Sequence, residues 1–241
     1  MGAWADGRAP VGEAQSGSRR APGGGNLHRN PAPTMYIPAF NRVSDPDKIN
    51  AFIHANAFAT LVTNCKDGPW ASHLPFVYDE APGGGLLRCH MARANEQWRH
   101  FEENPEVLCI FLGPHAYISP SWYQAKVAVP TWNYAAVHVT GKAKLEDDGF
   151  LRKTVEDTTR KYESTMPRPW EMPIPEDYVV SMMRAIVGFS IQVTRVEAKF
   201  KLSQNRSLED RLGVLAGLEG SGDPGSLTLA GFMREQGAAS P

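Results

Sequence analysis

The chain has 241 residues, of which 42% are hydrophobic and 21% are charged, so it can bury one sizeable core. This composition excludes a fibrous or wholly disordered protein, and a formal net charge of -1 excludes a whole-molecule positive field that attracts nucleic acid. No apolar run approaches the roughly 18 residues that a membrane helix needs, and no signal peptide is evident. We therefore expect a cytoplasmic protein with no membrane partner.

The N-terminal segment, residues 1–34, is rich in Gly, Pro, Ser and Arg and contains few branched aliphatic residues. Such a segment cannot bury enough apolar surface to offset the entropy lost on ordering. The sequence predicts a disordered extension over 1–34, with Met35 as an alternative start, and a transit peptide is the weaker interpretation. One domain is expected over 35–218, followed by a flexible segment, 219–241, with a short helix that docks on the body or on a partner subunit.

Strand-like and helix-like patterns interleave after Met35. Ser44-Asp45-Pro46 predicts the start of a helix, and the β-prone runs 58–63 and 71–78 flank an Asp67-Gly68 turn, which predicts a hairpin. Further strands are predicted at 86–91, 107–112, 136–145 and 187–196, and further helices after Asn95 and at 148–162 and 176–185. Short antiparallel strands with helices packed outside predict an α+β fold built on a small barrel.

The segment after the strand 86–91 combines features of an anion site. Arg93 lies in the loop, and Asn95 opens a helix whose free backbone N–H groups face the same region. An arginine beside a helix start suits a phosphate. The alternative is a capped helix with a solvated arginine.

Aromatic residues cluster in two later stretches. Trp122, Trp132 and Tyr134 can form an apolar wall for a planar heterocycle, with Asn133 and His115 supplying hydrogen bonds. The alternative is that these residues belong to the core or to a subunit interface.

A dense group of donors follows the strand 187–196. It comprises Lys199, Lys201, Gln204, Asn205 and Arg206. The group suits a second anionic contact, and a solvated basic surface is the alternative.

Other residue types give no site of their own. His73 and His138 lie among apolar neighbours in predicted strands, where hydrogen-bonded core histidines are the favoured interpretation. Cys65, Cys89 and Cys109 are too far apart for a zinc site or a disulfide framework, which favours buried free thiols. Phosphate-loop, dinucleotide, zinc-protease and serine-hydrolase motifs are missing, as is a basic recognition helix. We therefore predict no metal and nominate no catalytic residue.

Six stretches give the chain a resemblance to a known family. They are MYIP at 35–38, HMARAN at 90–95, GPHAYISPSWY at 113–123, VPTWNYAAVHVTG at 129–141, AIVG at 185–188 and KFKLSQNR at 199–206. In this respect the sequence resembles the PaiB-like proteins, FMN-binding negative transcriptional regulators with an antiparallel split β-barrel and peripheral helices.

The resemblance implies FMN as the cofactor and assigns residues to it. Counting back from Asn104-Pro105 places five of them on the strand, loop and helix that precede this pair: Met91, Ala92, Arg93, Asn95 and Gln97. Arg93 and Asn95 are the implied phosphate ligands, and backbone groups near Met91 and Ala92 face the ring. His73 lies where related oxidases carry a basic residue. The fold binds flavin between two subunits, so Trp132, Lys201, Gln204 and Asn205 are expected to reach the cofactor from the partner of a homodimer.

Two classes of function follow from the resemblance. The first is a flavin-responsive negative regulator, for which DNA is an open partner without a recognisable reading motif. The second is a flavin-dependent oxidoreductase or haem-handling enzyme on the same scaffold.

Overall fold

A computed structural model describes residues 35–82, 84–170 and 174–239 of the chain, and the extension predicted over 1–34 lies outside these ranges. The strands are β1 Arg42–Val43, β2 Phe58–Cys65, β3 Gly68–Pro75, β4 Val77–Asp79, β5 Leu86–Ala92, β6 Glu106–Ile118, β7 Thr131–Leu145 and β8 Ile186–Lys201. The helices are α1 Pro46–Ala55, α2 His100–Glu103, α3 Asp148–Glu163, α4 Glu176–Met183, α5 Leu208–Gly220 and α6 Pro224–Glu235. Short 3₁₀ helices lie at Ala39–Asn41, Glu96–Arg99 and Pro120–Trp122.

The strands form one antiparallel sheet in the order β3-β2-β6-β7-β8-β5-β4, with β1 added beside β8. Strands β3 and β4 follow each other in the chain but occupy the two ends of this order. The sheet must therefore curl until its two edges approach each other, although they do not pair. This arrangement confirms the predicted α+β split barrel with helices outside.

Alternation along the strands produces the core. In β7, Asn133, Ala135, Val137 and Val139 are buried, whereas their neighbours in sequence are mostly more exposed. This period of two is the pattern expected of a strand with one face toward the interior. The interior includes an edge-on aromatic cluster, comprising Phe76, Phe111 and Phe189.

The C-terminal helices pack against the barrel. Helix α5 presents Gly213 and Gly217 to Trp122, and a Cβ at position 217 would lie only 2.2 Å from the Trp122 ring. Helix α6 contacts β6 and buries Leu229 and Met233. The segment 219–241 therefore contains a helix docked on its own chain.

Candidate functional site

Arg93 lies directly after β5 and is held by the backbone on both sides of the junction between α4 and β8. Its Nε donates to the Arg184 carbonyl (2.9 Å) and its Nη2 donates to the Ile186 carbonyl (2.9 Å). Its backbone N–H donates to the Ala185 carbonyl (2.8 Å). The side chain is exposed, and within the described ranges Nη1 has no hydrogen-bond partner. A cation oriented in this way can bind an anion through its free end.

Asn95 and Gln97 fix the loop that follows Arg93. Asn95 Oδ1 accepts from the Gln97 N–H (3.2 Å), and its Nδ2 donates to Ser72 Oγ on β3 (2.8 Å). Gln97 is 0% exposed, and its Nε2 donates to the carbonyls of Leu61 and Trp70 (3.2 and 3.1 Å). Gln97 has no surface in this protomer through which it could touch a ligand, because β2 and β3 enclose it. It is a positioning residue that ties the loop to both strands.

The other predicted residues of this region differ in how much they expose. The Met91 side chain is buried in the core, so only its backbone is available to a ligand, whereas Ala92 is exposed. His73 is exposed on β3, and its Nδ1 lies 3.0 Å from Thr60 Oγ1. We call His73, Ala92, Arg93 and Asn95 the Arg93 corner.

A second group surrounds Trp132, which is 54% exposed. Its ring lies 6.2 Å from that of Tyr117 and 6.5 Å from that of His115. Lys201 Nζ donates to the Trp132 carbonyl (2.7 Å). Burial lowers the pKa of Lys201, and the positive charge of Lys199 lowers it further. We call His115, Tyr117, Trp132 and Lys201 the Trp132 group.

Asn205 and Gln204 face different cavities despite being adjacent. Asn205 lines a cavity of about 140 Å³ together with Lys201. Gln204 accepts from the Leu202 N–H (2.6 Å) and donates to the Phe200 carbonyl, and it lines a separate cavity. The structure therefore brings Lys201 and Asn205 together and directs Gln204 elsewhere.

The aromatic wall expected from the sequence needs a correction. Trp122 packs on α5 at Gly217, and no ring contact between described residues joins it to Trp132. Asn133 is buried, and its Nδ2 donates to Ser203 Oγ (2.9 Å), so it stabilises the interior rather than a ligand. Tyr134 lies beneath Lys199, whose Nζ is 5.3 Å from the ring centroid. Of the predicted wall and its hydrogen-bonding partners, only Trp132 and His115 have their rings close together.

The Arg93 corner and the Trp132 group lie at opposite ends of β8. Ala92 pairs with Ile186, the first residue of that strand, and Tyr134, two residues from Trp132, pairs with Lys201, the last. No hydrogen bond between described residues joins the two groups. A single chain therefore carries the two groups of predicted ligands on separate surfaces.

The outward side of β2, β6 and β7 is apolar over much of its area. We call it the outer face and define it by residues that share one side of the sheet: Phe58, Thr60, Ile110, Leu112, Tyr117, Trp132, Ala136 and His138. Leu112 is 52% exposed, and it pairs with Ala136. Burial lowers the pKa of His138, which favours its neutral form. An exposed apolar patch of this kind marks an interaction surface.

Sequence reasoning missed several residues that shape the Arg93 corner. Ser72 anchors Asn95, Thr60 holds His73, and the carbonyl of Arg184 holds Arg93. Small hydroxyl residues on strands and backbone carbonyls carry no sequence signal of their own. Only the pairing of β2 with β3 could have indicated that Thr60 lies opposite His73.

Residues 35–195 match the model of a family described as "Putative FMN-binding domain". The chain belongs to this family. The match confirms the resemblance predicted from the sequence and confirms FMN as the cofactor. It begins at Met35, where the family resemblance was expected to begin.

Two relatives of this family member illustrate its similarity to known sequences. It is 38% identical to the "Protease synthase and sporulation protein PAI 2" of Bacillus subtilis, over 84% of this chain and 98% of the relative. It is 32% identical to an uncharacterized protein of Emericella nidulans, over 84% of this chain and 98% of that protein.

Solved structures share the fold at low identity. The flavocytochrome Anf3 from Azotobacter vinelandii gives a TM-score of 0.52 at 15% identity, covering 67% of this chain and 69% of that chain. The FAD and heme binding protein from Mycobacterium smegmatis gives a TM-score of 0.53 at 10% identity, covering 70% of this chain and 78% of that chain. No helix in the described part of this family member is long and apolar enough to cross a membrane.

The residues present in this member of the family fit FMN in kind. Arg93 offers an exposed guanidinium with a free Nη1, which suits a phosphate. The exposed Trp132 ring can stack on the planar flavin ring, and the Lys201 ammonium can donate to the carbonyl and nitrogen acceptors of that ring. Both kinds of group are available, but on separate surfaces of one protomer.

Proposed function

We propose that this protein is a flavin-responsive negative regulator of transcription that works as a cytoplasmic homodimer. The observation that carries the proposal is the match to the FMN-binding family together with 38% identity to a Bacillus sporulation protein over nearly its whole length. The regulatory role is taken from the PaiB-like family that the sequence resembles. No recognition helix was found in the sequence, so the proposed effect on transcription includes indirect action.

The proposed flavin ligands come first from the Arg93 corner. Arg93 Nη1 binds the phosphate, while its Nε and Nη2 remain on the carbonyls of Arg184 and Ile186 and keep the guanidinium oriented. Asn95 holds the loop by its bond to Ser72, and the Ala92 backbone faces the ring. When bound, FMN supplies a ring that accepts and donates electrons.

The homodimer is proposed because the Arg93 corner and the Trp132 group lie at opposite ends of β8. A two-fold interface brings the same surface of both chains together, so a residue at one end of the face meets a residue at the other end of the partner's face. His73 extends the outer face onto β3 at one edge, and Trp132 lies on the same face at the other edge, on β7. Pairing two outer faces would bury their exposed apolar side chains and carry Trp132, Lys201 and Asn205 of the second chain to the Arg93 corner of the first. This arrangement accounts for the separation of the two groups on each chain.

Arg93→Ala is expected to weaken FMN binding by about 1.5–3 kcal/mol, or roughly 10- to 150-fold, because a charged hydrogen bond is lost. The dissociation constant can be measured by quenching of flavin fluorescence. Arg99→Ala is the matched control, because Arg99 is an exposed arginine nearby that pairs with Glu96 (3.2 Å) and should leave the affinity unchanged. Equal affinity of wild type and Arg93→Ala would remove Arg93 from the site.

The same variant tests the regulatory role. Deleting the gene in the organism that encodes it should raise a restricted set of transcripts, and wild-type protein should lower them again. Arg93→Ala, present at the same level, should fail to restore repression, whereas Arg99→Ala should succeed. Repression by Arg93→Ala despite its lost flavin would contradict a flavin-responsive regulator. The enzyme alternative instead predicts turnover of a nicotinamide nucleotide by the purified protein.

A further inference from the structure

A cavity of about 280 Å³ lies away from the Arg93 corner and the Trp132 group. It is bounded by β1 and the start of α1, by the end of β8, by α5, and by the residues that follow α6. Its floor includes Phe200 and Leu202, both of which are buried. Of the predicted flavin residues, only Gln204 lines this cavity. Its side chain is hydrogen-bonded to the backbone of Phe200 and Leu202.

Three cations line this cavity: Arg42, Lys48 and Arg211. None of them forms an ion pair with a residue of the described ranges. Arg211 is half-buried, and its Nε is fully buried with no hydrogen-bond partner among those residues. Leaving a buried charged donor unsatisfied is costly, and no described residue supplies the Arg211 guanidinium with a carboxylate.

One carboxylate also lines the cavity, but its oxygen is already engaged. Asp45 Oδ1 accepts from the N–H groups of Asp47 and Lys48 at the start of α1 (3.0 and 3.4 Å). Three cations against one carboxylate leave the cavity with a net positive lining. The missing partner of Arg211 is therefore expected to be an anion.

A second cavity, of about 330 Å³, adjoins the first between α1 and α6. Lys48, Phe200 and Gln236 line both cavities, so the two are neighbours. The walls of the second include Phe52 and Phe232, whose ring centroids lie 5.0 and 5.2 Å from that of Phe200. The second cavity is mostly apolar, and its carboxylate, Glu235, disfavours an anion there.

We propose that these two cavities form one binding site for an amphipathic organic acid, a single carboxylate on an apolar tail. The carboxylate binds Arg211 with Arg42 and Lys48, and the tail lies between α1 and α6 against Phe52 and Phe232. Arginine suits a carboxylate because its planar donors match the two oxygens. The aromatic walls suit an aliphatic tail because they bury apolar surface without requiring a polar partner. The site is separate from the flavin site and does not depend on the proposed function.

Octanoate is a suitable probe, and isothermal titration calorimetry on the full chain is a suitable measurement. We expect one octanoate per chain with a dissociation constant on the order of 1 mM or tighter. Acetate has the carboxylate without the apolar tail, and octan-1-ol has the apolar tail without the carboxylate. Each should bind at least tenfold more weakly than octanoate. Saturating FMN should leave the affinity for octanoate unchanged.

Two variants test the two ends of the site. Arg211→Gln removes the charge, and Ala51→Phe fills the second cavity from an exposed position on α1, so each should weaken octanoate binding at least tenfold. Arg160→Gln, an exposed arginine on α3, is the control and should bind as wild type. If thermal melting shows that Arg211→Gln is unfolded, Arg42→Gln replaces it, because Arg42 is exposed.

The proposal is overturned by any of four results. They are no octanoate binding by wild type, equal binding of octan-1-ol, an affinity that either folded cavity variant leaves unchanged, or loss of binding when FMN saturates the protein. The last result would assign these cavities to the flavin.

Discussion

Replacing Leu112 with glutamate is expected to convert the proposed dimer into monomers and to weaken FMN binding at least about a hundredfold, or about 2.7 kcal/mol. Leu112 lies on β6, between His73 on β3 and Trp132 on β7 in the strand order of the outer face. An unpaired carboxylate buried between two such faces costs several kcal/mol. FMN binding should fall with dimerisation, because the partner supplies Trp132 and Lys201. Analytical ultracentrifugation and flavin titration on the same sample measure both effects.

The control for this variant is Val127→Glu. Val127 is 90% exposed in the connection between β6 and β7, outside the outer face, so the same added charge should change neither mass nor flavin affinity. Leu112 is itself 52% exposed in the protomer, and we expect Leu112→Glu to fold, which circular dichroism can verify. A Leu112→Glu protein that remains dimeric and binds FMN as wild type would exclude the outer face as the interface.

Arg88→Ala is expected to lower the free energy of unfolding by about 1.5–3 kcal/mol, the usual contribution of hydrogen bonds between charged groups. The Arg88 side chain is only 9% exposed, on β5. Its Nη2 donates to Asp79 Oδ1 (2.9 Å) and its Nη1 donates to Asp157 Oδ2 on α3 (2.8 Å). It therefore connects β5 to β4 and to the helix that covers them. Urea denaturation at neutral pH measures the difference.

Arg160→Ala provides a control at the same carboxylate. Arg160 Nη1 donates to Asp157 Oδ1 (2.9 Å), but its side chain is 72% exposed. Exposed ion pairs contribute little, so this variant should lose no more than about 1 kcal/mol. If Arg88→Ala and Arg160→Ala lower the free energy of unfolding equally, burial of Arg88 does not increase its contribution to stability.

The same contacts predict how stability responds to acid. Hydrogen bonds from Lys153 and from Arg88 lower the pKa of Asp157 from 3.8 to about 2. A carboxyl whose pKa is depressed on folding stabilises the protein above its unfolded pKa, and this contribution is lost as the pH falls toward the folded pKa. The difference in stability between wild type and Arg88→Ala should therefore be full above about pH 4 and should shrink as the pH falls toward 2.

The sequence predicted the fold well where local chemistry is strong. The hairpin predicted from Asp67-Gly68 forms between β2 and β3, with Lys66 and Asp67 as the turn and Gly68 as the first residue of β3. Asp45 caps α1 by accepting from backbone N–H groups. The predicted strands 107–112 and 136–145 were too short, because β6 continues to Ile118 and β7 begins at Thr131. Gly113 and Pro114 resemble a loop, but a bulge between Leu112 and His115 accommodates them within β6. A Cβ at Gly113 would lie 2.6 Å from the Phe52 ring, a packing requirement that no local pattern reveals.

The candidate site was also predictable only in part, because local motifs identify residue types but do not show which strands cover them. Arg93 and Asn95 were identified by motif and helix start, and both lie where a ligand can approach. Gln97 and Asn133 carry the right chemistry for ligands, yet tertiary pairing buries them against backbone and Ser203. Whether a polar side chain faces outward depends on which strands pair. The separation of Arg93 from Trp132 likewise depends on the length of β8, which only the structure provides.

The most direct test of a flavin site shared between subunits is a titration of the full chain with FMN, combined with measurement of its mass in solution. We predict one FMN bound per chain and two per dimer, with quenching of flavin fluorescence. A protein that leaves flavin fluorescence unchanged, or a monomer that binds FMN as tightly as any dimer, would contradict this account.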